Sequence, residues 1–389
     1  MHKVRTYNKI SSKGLDRFSP KNYLVSDNIP DPDAFILRSQ KLHDEKLPSS
    51  IKAVARAGAG VNNIPIEKFT KMGVVVFNTP GANANAVKEL VASALLMSSR
   101  DIFGGMNYVQ GLTEIKDSTE MSKLLEKQKS QFAGSEIAGK TLGVVGLGAI
   151  GSMVANMALE LGMNVVGFDP AMSVEAAWRL SHKVEKMDSL QSLLSRADFI
   201  TMHVPALDAT KHLINKETLA FMKSSAVLLN FAREEVVDSI AVKDALDNQN
   251  LKKYVTDFPT PEMLGRKDVI SMPHIGASTS EAEENCAIMA ADQLIDYLEQ
   301  GNICNSVNFP KTKMPRHGGY RITFCNKNVP KILGNVLTLL ADCSLNVIDM
   351  VNKSRNEIAY NIIDVESEPT QELLEKISSV EGILSVRLV

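Results

Sequence analysis

The stretch Thr141–Asp169 reads TLGVVGLGAIGSMVANMALELGMNVVGFD, and its pattern decides the fold. A short apolar run, Leu142 to Val145, leads into Gly146, Gly148 and Gly151, the spacing G-x-G-x-x-G. Ile150, Val154, Ala158 and Leu161 then recur at helical spacing, and Gly162 is placed to end that helix. A second apolar run, Val165 to Phe168, delivers Asp169. The order is strand, glycine-rich turn, helix, strand, acid. The first glycine permits a tight turn, the second lets backbone approach a pyrophosphate, and the third lets helix and strand pack closely. The helix start around Ala149 and Ile150 offers free N–H groups and partial positive charge to phosphates. Asp169 lies 18 positions beyond Gly151, where a carboxylate accepts from ribose hydroxyls and repels a 2′-phosphate. The cofactor predicted on these grounds is NAD rather than NADP.

The chain of 389 residues is too long for one core, so two or three domains are expected. Its 44% hydrophobic content is that of a globular protein. A net charge of -2 provides no field for nucleic acid or an anionic membrane. No apolar run of membrane-spanning length occurs, and the segment MHKVRTYNKISSKGLD lacks the apolar core of a signal peptide. The four cysteines, Cys286, Cys304, Cys325 and Cys343, form no C-x-x-C pair. They fit reduced thiols in a cytoplasmic protein. No metal site is predicted.

Before the glycine-rich stretch, strands are expected at Lys3–Tyr7, Ala34–Leu37, Val54–Arg56 and Val74–Phe77, alternating with helical segments as βαβ units do. A glycine-rich loop led by Arg56 (RAGAGVNN) and the turn NTPGANAN from Asn78, opening a helix over Ala86–Ser99, stand out there. Residues 100–140 read as an exposed, charged helical connection. Beyond Asp169, strands are predicted at Phe199–His203, Ala226–Asn230, Tyr254–Asp257 and Val269–Met272, with helices at Lys216–Met222, Ile240–Asn248 and Ser280–Glu299. Asn305–Gly319, rich in Pro, Gly and Lys, reads as a linker. The remainder, Tyr320–Val389, has βαββαβ order and about 70 residues, near the lower size for independent stability, so packing on a partner copy is expected.

Ligands bind at the carboxyl ends of strands in open parallel sheets. Arg233, Asp257 and His274 each follow such an end, and Glu262 comes soon after Asp257. Hydride transfer at a carbonyl needs a base for the alcohol proton and a cation for a carboxylate. His274 is the candidate base, Glu262 the group that would orient its ring, and Arg233 the bidentate carboxylate binder. Taken singly, each has an ordinary alternative: a structural histidine, a solvated glutamate, an arginine paired with Glu234 or Glu235.

Gly146–Gly151, Asp169, the run DATKHLIN from Asp208, Asn230-Phe-Ala-Arg233 with Val237-Asp238, and PHIGAST from Pro273 together resemble the D-2-hydroxyacid dehydrogenases. The resemblance covers nearly the whole chain. It implies an α/β protein in which a Rossmann domain, 101–279, is inserted in a flavodoxin-like outer domain, 1–100 and 280–304. A linker, 305–319, and a small C-terminal ACT-like domain, 320–389, follow. It implies Arg233, Glu262 and His274 as the catalytic set, Arg56, Ala57 and Gly58 together with Arg233 as substrate contacts, and His203, Pro205, Ala232 and Asp257 as lining the cofactor site. The loop after Arg56, the turn at Asn78 and the C-terminal module resemble the branch that oxidises 3-phospho-D-glycerate to 3-phosphohydroxypyruvate at the entry to serine biosynthesis. A homo-oligomer, dimer or tetramer, is implied as well. A glyoxylate or hydroxypyruvate reductase on the same scaffold, or a non-catalytic NAD-sensing corepressor-like protein, are the alternatives.

The chain departs from the family pattern in three places. Glu234 stands where a glycine usually follows the arginine, and the proline precedes Glu262 instead of following it. In the C-terminal module Asn328-Val-Pro-Lys331 replaces N-x-P-G, with lysine at the glycine that would admit an amino-acid effector. Asn326, Asn328 and Asn346 remain as candidate effector contacts.

Overall fold

The computed structural model describes residues 1–389 and divides into two compact units, one of residues 1–83 with 279–389 and one of residues 84–278. The expected limit near residue 100 thus moves to 83/84. The reason is local: the helix Ala84–Ser99 buries Val87, Val91, Ala94 and Leu95 in one core with Val154, Ala155 and Ala158.

That second unit carries seven parallel strands: β6 (Thr141–Val145), β7 (Asn164–Phe168), β8 (Glu185–Lys186), β9 (Phe199–Met202), β10 (Val227–Asn230), β11 (Lys253–Thr256) and β12 (Val269–Ser271). Their order, β12-β11-β10-β9-β6-β7-β8, is the doubly wound arrangement with its switch point between β6 and β9. Every residue of β9 and β10 is buried, because apolar cores cover both faces of the sheet. The helix Ala149–Glu160 follows β6 and closes at Gly162, φ 77°, as its sequence predicts. Its buried stripe is Val154, Ala155 and Ala158, while Leu161 is exposed. The helices Ile102–Gln110 and Ser118–Gln128 bury no residue, in keeping with an exposed connection.

The other unit holds a parallel sheet of β1 (His2–Thr6), β2 (Tyr23–Ser26), β3 (Ala34–Leu37), β4 (Ala53–Arg56) and β5 (Val75–Phe77), in the order β2-β1-β3-β4-β5. This is the flavodoxin-like order. Strand alternation divides its side chains. Ala34 and Ile36 face a core completed by Cys286, Ala290, Leu294 and Tyr297 of the helix Ser280–Gln300, while Phe35 and Leu37 face Phe69 and Val76 on the other side.

In the C-terminal module β13 (Tyr320–Lys327), β14 (Val347–Arg355), β15 (Ile358–Val365) and β16 (Ile383–Leu388) form an antiparallel sheet, order β14-β15-β13-β16. The helices Ile332–Asp342 and Gln371–Ser378 cover one face. The other face packs within the chain: Cys325, Ile358, Tyr360 and Ile362 join the core formed with the first sheet and the 280–300 helix. Residues 305–319 are no free linker either. Asn308 accepts from Val76 N–H (2.9 Å) and donates to Val74 O (2.9 Å) and Thr70 Oγ1 (3.0 Å), while Phe309 and Met314 are buried. Arg321, fully buried, fixes the join. It pairs with Asp364 through two 2.7 Å bonds and donates to the carbonyls of Gln300, Met314 and Pro315. All five guanidinium N–H groups are thereby used, which is what makes a buried arginine tolerable. No helix is long and apolar enough to cross a membrane.

Candidate active site

The glycine-rich turn sits at the switch point of the seven-stranded sheet, after β6. Gly146 has φ 89°, and a Cβ there would lie 2.7 Å from His203 O. A Cβ on Gly151 would lie 1.9 Å from Gly146 O. Gly148 differs: nothing stands within 4 Å of where its Cβ would be. It caps the 149–160 helix without any side-chain cap, and the first-turn N–H groups of a helix have no intrahelical acceptor. Asp169, at the end of β7, accepts from Leu147 N–H (2.8 Å) and from Ala171 N–H (2.9 Å). The carboxylate therefore locks the turn from the end of the next strand. Open space beside Gly148, free N–H donors and an acid at the next strand end fit a dinucleotide.

His203 follows β9 on the far side of the switch point. Its Nε2 meets Thr201 Oγ1 at 2.9 Å, its Nδ1 is buried without a partner, and burial pushes its pKa down to about 3. The ring is thus neutral and contributes no charge under the glycine-rich turn. Pro205 begins the loop beyond it, its carbonyl accepting from Thr210 Oγ1 at 2.5 Å.

Arg233 follows β10 by way of Phe231 and Ala232, both buried. Its Nη1 donates to Ala232 O at 2.6 Å. The next residue, Glu234, opens a short 3-10 turn, Glu234–Val236, without a positive φ, so nothing in this backbone demands the family's glycine. Asp257 follows β11 and is 2% exposed. Its two carboxylate oxygens accept from Ile275 N–H (2.8 Å) and Gly276 N–H (2.7 Å), the two residues after His274. Here Asp257 clamps the histidine loop, a role beyond the expected lining of the cofactor site. His274 itself is exposed, has φ 56°, and packs its ring against that of Phe258, tilted by 53° at 4.7 Å between centroids. Glu262 lies on an exposed 3-10 turn, Pro261–Met263. Its carboxyl lies below the usual range, chiefly through its own backbone N–H. No hydrogen bond joins Glu262 to His274; Phe258 is the residue against the imidazole. Sequence reasoning assigned no part to Phe258, Thr201 or Asn230. Asn230 was visible only as the first residue of the motif Asn230-Phe-Ala-Arg233 and as the polar end of the apolar run VLLN, with no role attached.

The expected substrate residues Arg56, Ala57 and Gly58 lie in the other unit, after β4. Arg56 Nε donates to Arg38 O (3.0 Å), and a Cβ on Gly58 would come within 2.4 Å of Arg56 Nη1, so this glycine makes room for the guanidinium. Thr79 N–H to Gly58 O (3.1 Å) and Asn78 Nδ2 to Ala59 O (2.7 Å) bind the loop to the NTPG turn. In the C-terminal module the three candidate effector contacts are already engaged. Asn326 accepts from Asn361 (2.8 Å), Asn328 donates to Asn356 O (3.1 Å), and Asn346 donates to Glu366 (2.8 Å).

Residues 105–277 match the family model of the D-isomer specific 2-hydroxyacid dehydrogenases, NAD binding domain. A D-3-phosphoglycerate dehydrogenase of Haemophilus influenzae is 32% identical over 342 residues, 85% of this chain and 79% of that protein. The chain therefore belongs to the D-isomer specific 2-hydroxyacid dehydrogenase family, and its cofactor is NAD. Further relatives bear the same name as the Haemophilus protein. The D-3-phosphoglycerate dehydrogenase of Methanocaldococcus jannaschii is 33% identical over 337 residues, 84% of this chain, which spans 60% of that longer protein. Among solved structures, NAD+-bound 3-phosphoglycerate dehydrogenase of Entamoeba histolytica superposes with a TM-score of 0.62 at 25% identity, covering 79% of this chain and 98% of that one.

Proposed function

We propose that this protein oxidises 3-phospho-D-glycerate to 3-phosphohydroxypyruvate with NAD, the entry step of serine biosynthesis, as a cytoplasmic homo-oligomer. The observation that carries the reading is one sheet edge. The open glycine-rich turn, Arg233 and His274 all follow carboxyl ends of the same seven strands. When bound, NAD supplies the acceptor for the hydride leaving C2. The protein's residues do the rest. Arg233 exchanges its bond to Ala232 O for the substrate carboxylate, a stronger charge-assisted acceptor. His274 takes the 2-hydroxyl proton as the carbonyl forms. In this reading the Glu262–His274 hydrogen bond forms on substrate binding, since catalytic bonds in unliganded enzymes are often unmade. Arg56 holds an anionic group of the substrate, and the names of the curated relatives support phosphoglycerate as that substrate. Steady-state turnover of 3-phospho-D-glycerate against D-glycerate and D-lactate tests it. The phosphorylated acid is expected to be preferred by about 100-fold or more, as a lost charged contact warrants. Equal efficiency, or a His274→Ala enzyme with undiminished turnover, would refute it.

A further inference from the structure

The geometry points to Asn230 as a positioning residue that sets the backbone of Arg233, with Tyr254 as its support; this rests on the assignment of Arg233 above. Asn230 ends β10 and is fully buried. Its Oδ1 accepts from Ala232 N–H (3.1 Å) and its Nδ2 donates to Arg233 O (2.9 Å). One amide thus closes the three-residue turn on both sides and holds Arg233 extended, φ -154° and ψ 157°, just before the 234–236 turn begins. Behind the amide lies the Tyr254 hydroxyl, 3.5 Å from Nδ2 and against Thr256 as well; burial raises the pKa of this phenol.

The same buried cluster reaches the base. Thr256 Oγ1 accepts from Phe258 N–H at 3.0 Å, and Phe258 carries the ring that packs, tilted, against His274. The Asn230 carbonyl accepts from Asp257 N–H at 3.1 Å, and Asp257 clamps the loop of His274. Asn230, Tyr254, Thr256 and Asp257 are buried, and Asn230 and Asp257 hold the backbone at Arg233 and just after His274. Asn230, Tyr254 and Thr256 form a strut between the carboxylate binder and the base. An aspartate would keep the acceptor for Ala232 but lose the donor to Arg233. A serine or alanine would lose both spans.

A mutant cycle on the full chain tests the strut. If Asn230 acts through Arg233, Asn230→Ala lowers kcat/KM for 3-phospho-D-glycerate by about 100-fold, as a misplacement near 1 Å does. NADH affinity, read by protein fluorescence, falls by much less, under about 10-fold, because the glycine-rich turn keeps its own contacts and only the Ala232 side is loosened. The decisive arm is the double variant, in which Asn230→Ala adds nothing to Arg233→Ala. Tyr254→Phe lowers kcat/KM in the same direction by about fivefold, the worth of one weak buried bond. If Asn230→Ala costs as much on top of Arg233→Ala as it does in the wild-type enzyme, Asn230 is merely structural, and a fully active Asn230→Ala enzyme would leave it no part. Both outcomes overturn the proposal and leave the assigned reaction standing. An Arg233→Ala enzyme as active as wild type would overturn the assignment of Arg233 together with this proposal. Should Asn230→Ala fail to bind NADH, Asn230→Asp carries the same cycle.

Discussion

Two turns in this chain lead into helices, and they treat positive φ differently. In the turn Gly146–Gly151 every constrained position is glycine. In the turn Asn328–Lys331 the residue that caps the following helix is lysine, at φ 75° and ψ -23°. A lysine held there carries a strain of about 1 kcal/mol that a glycine would not. The comparison separates two reasons for a glycine. Gly146 and Gly151 serve the fold, since a Cβ on either would strike a backbone carbonyl, at 2.7 Å and 1.9 Å. Gly148 has ordinary φ, -66°, and empty space around it. Its missing side chain relieves no crowding within the chain and leaves the helix start open. The C-terminal turn has kept neither kind.

Substitutions break the comparison apart. Gly151→Ala is expected to do most harm, about 3 kcal/mol or more, because the clash is with backbone that cannot swing aside. Its melting temperature falls and NADH titration shows no saturation. Gly148→Ala is next: the protein melts within about 0.5 kcal/mol of wild type, as an uncrowded site allows, yet binds NADH about 10-fold or more weakly, because backbone N–H groups no longer approach phosphate. A Gly148→Ala protein that binds normally would erase the distinction. Asp169→Ala removes the acceptor for Leu147 N–H and the charge that repels a 2′-phosphate. The NAD to NADP preference in kcat/KM should fall by about 10-fold, the effect of one charged contact, and an unchanged ratio refutes the role. Lys331→Gly is the smallest and opposite in sign, a gain of up to about 1 kcal/mol after the entropy of the added glycine is subtracted. It is read as a rise in melting temperature.

Much of the fold was legible because parallel strands covered on both faces are continuous apolar runs. Ala34–Leu37 falls where the sequence predicts it, and Phe199–Met202 and Val227–Asn230 do so to within a residue. β2 and the helix Leu190–Arg196 escaped notice because they are short and set among polar residues, and only their packed side, such as Tyr23 or Leu193, betrays them. The stretch 305–319 misled by composition. Proline, lysine and glycine suggest a flexible tether, but Asn308, Phe309 and Met314 are buried by partners far away in sequence. The site residues were legible as strand-end positions. Their interactions were not: that Asp257 holds Ile275 and Gly276, or that Phe258 rather than Glu262 meets His274, depends on side-chain directions that no spacing encodes.

The interrupted path of the chain also orders its synthesis. Residues 1–83 emerge first, but one face of their sheet is completed by Cys286, Ala290, Leu294 and Tyr297. Gly14, moreover, is pressed against Ala287, its Cβ position 2.5 Å from that residue's backbone. Between them lie the 195 residues of the inserted unit, 84–278. At ribosomal speeds of about 5–20 residues per second that interval lasts roughly 10–40 s, long enough for the insert, which owns its whole core, to fold before the first sheet can close. A nascent chain halted after residue 278 would present a finished nucleotide-binding unit tethered to an amino-terminal sheet still open on one face.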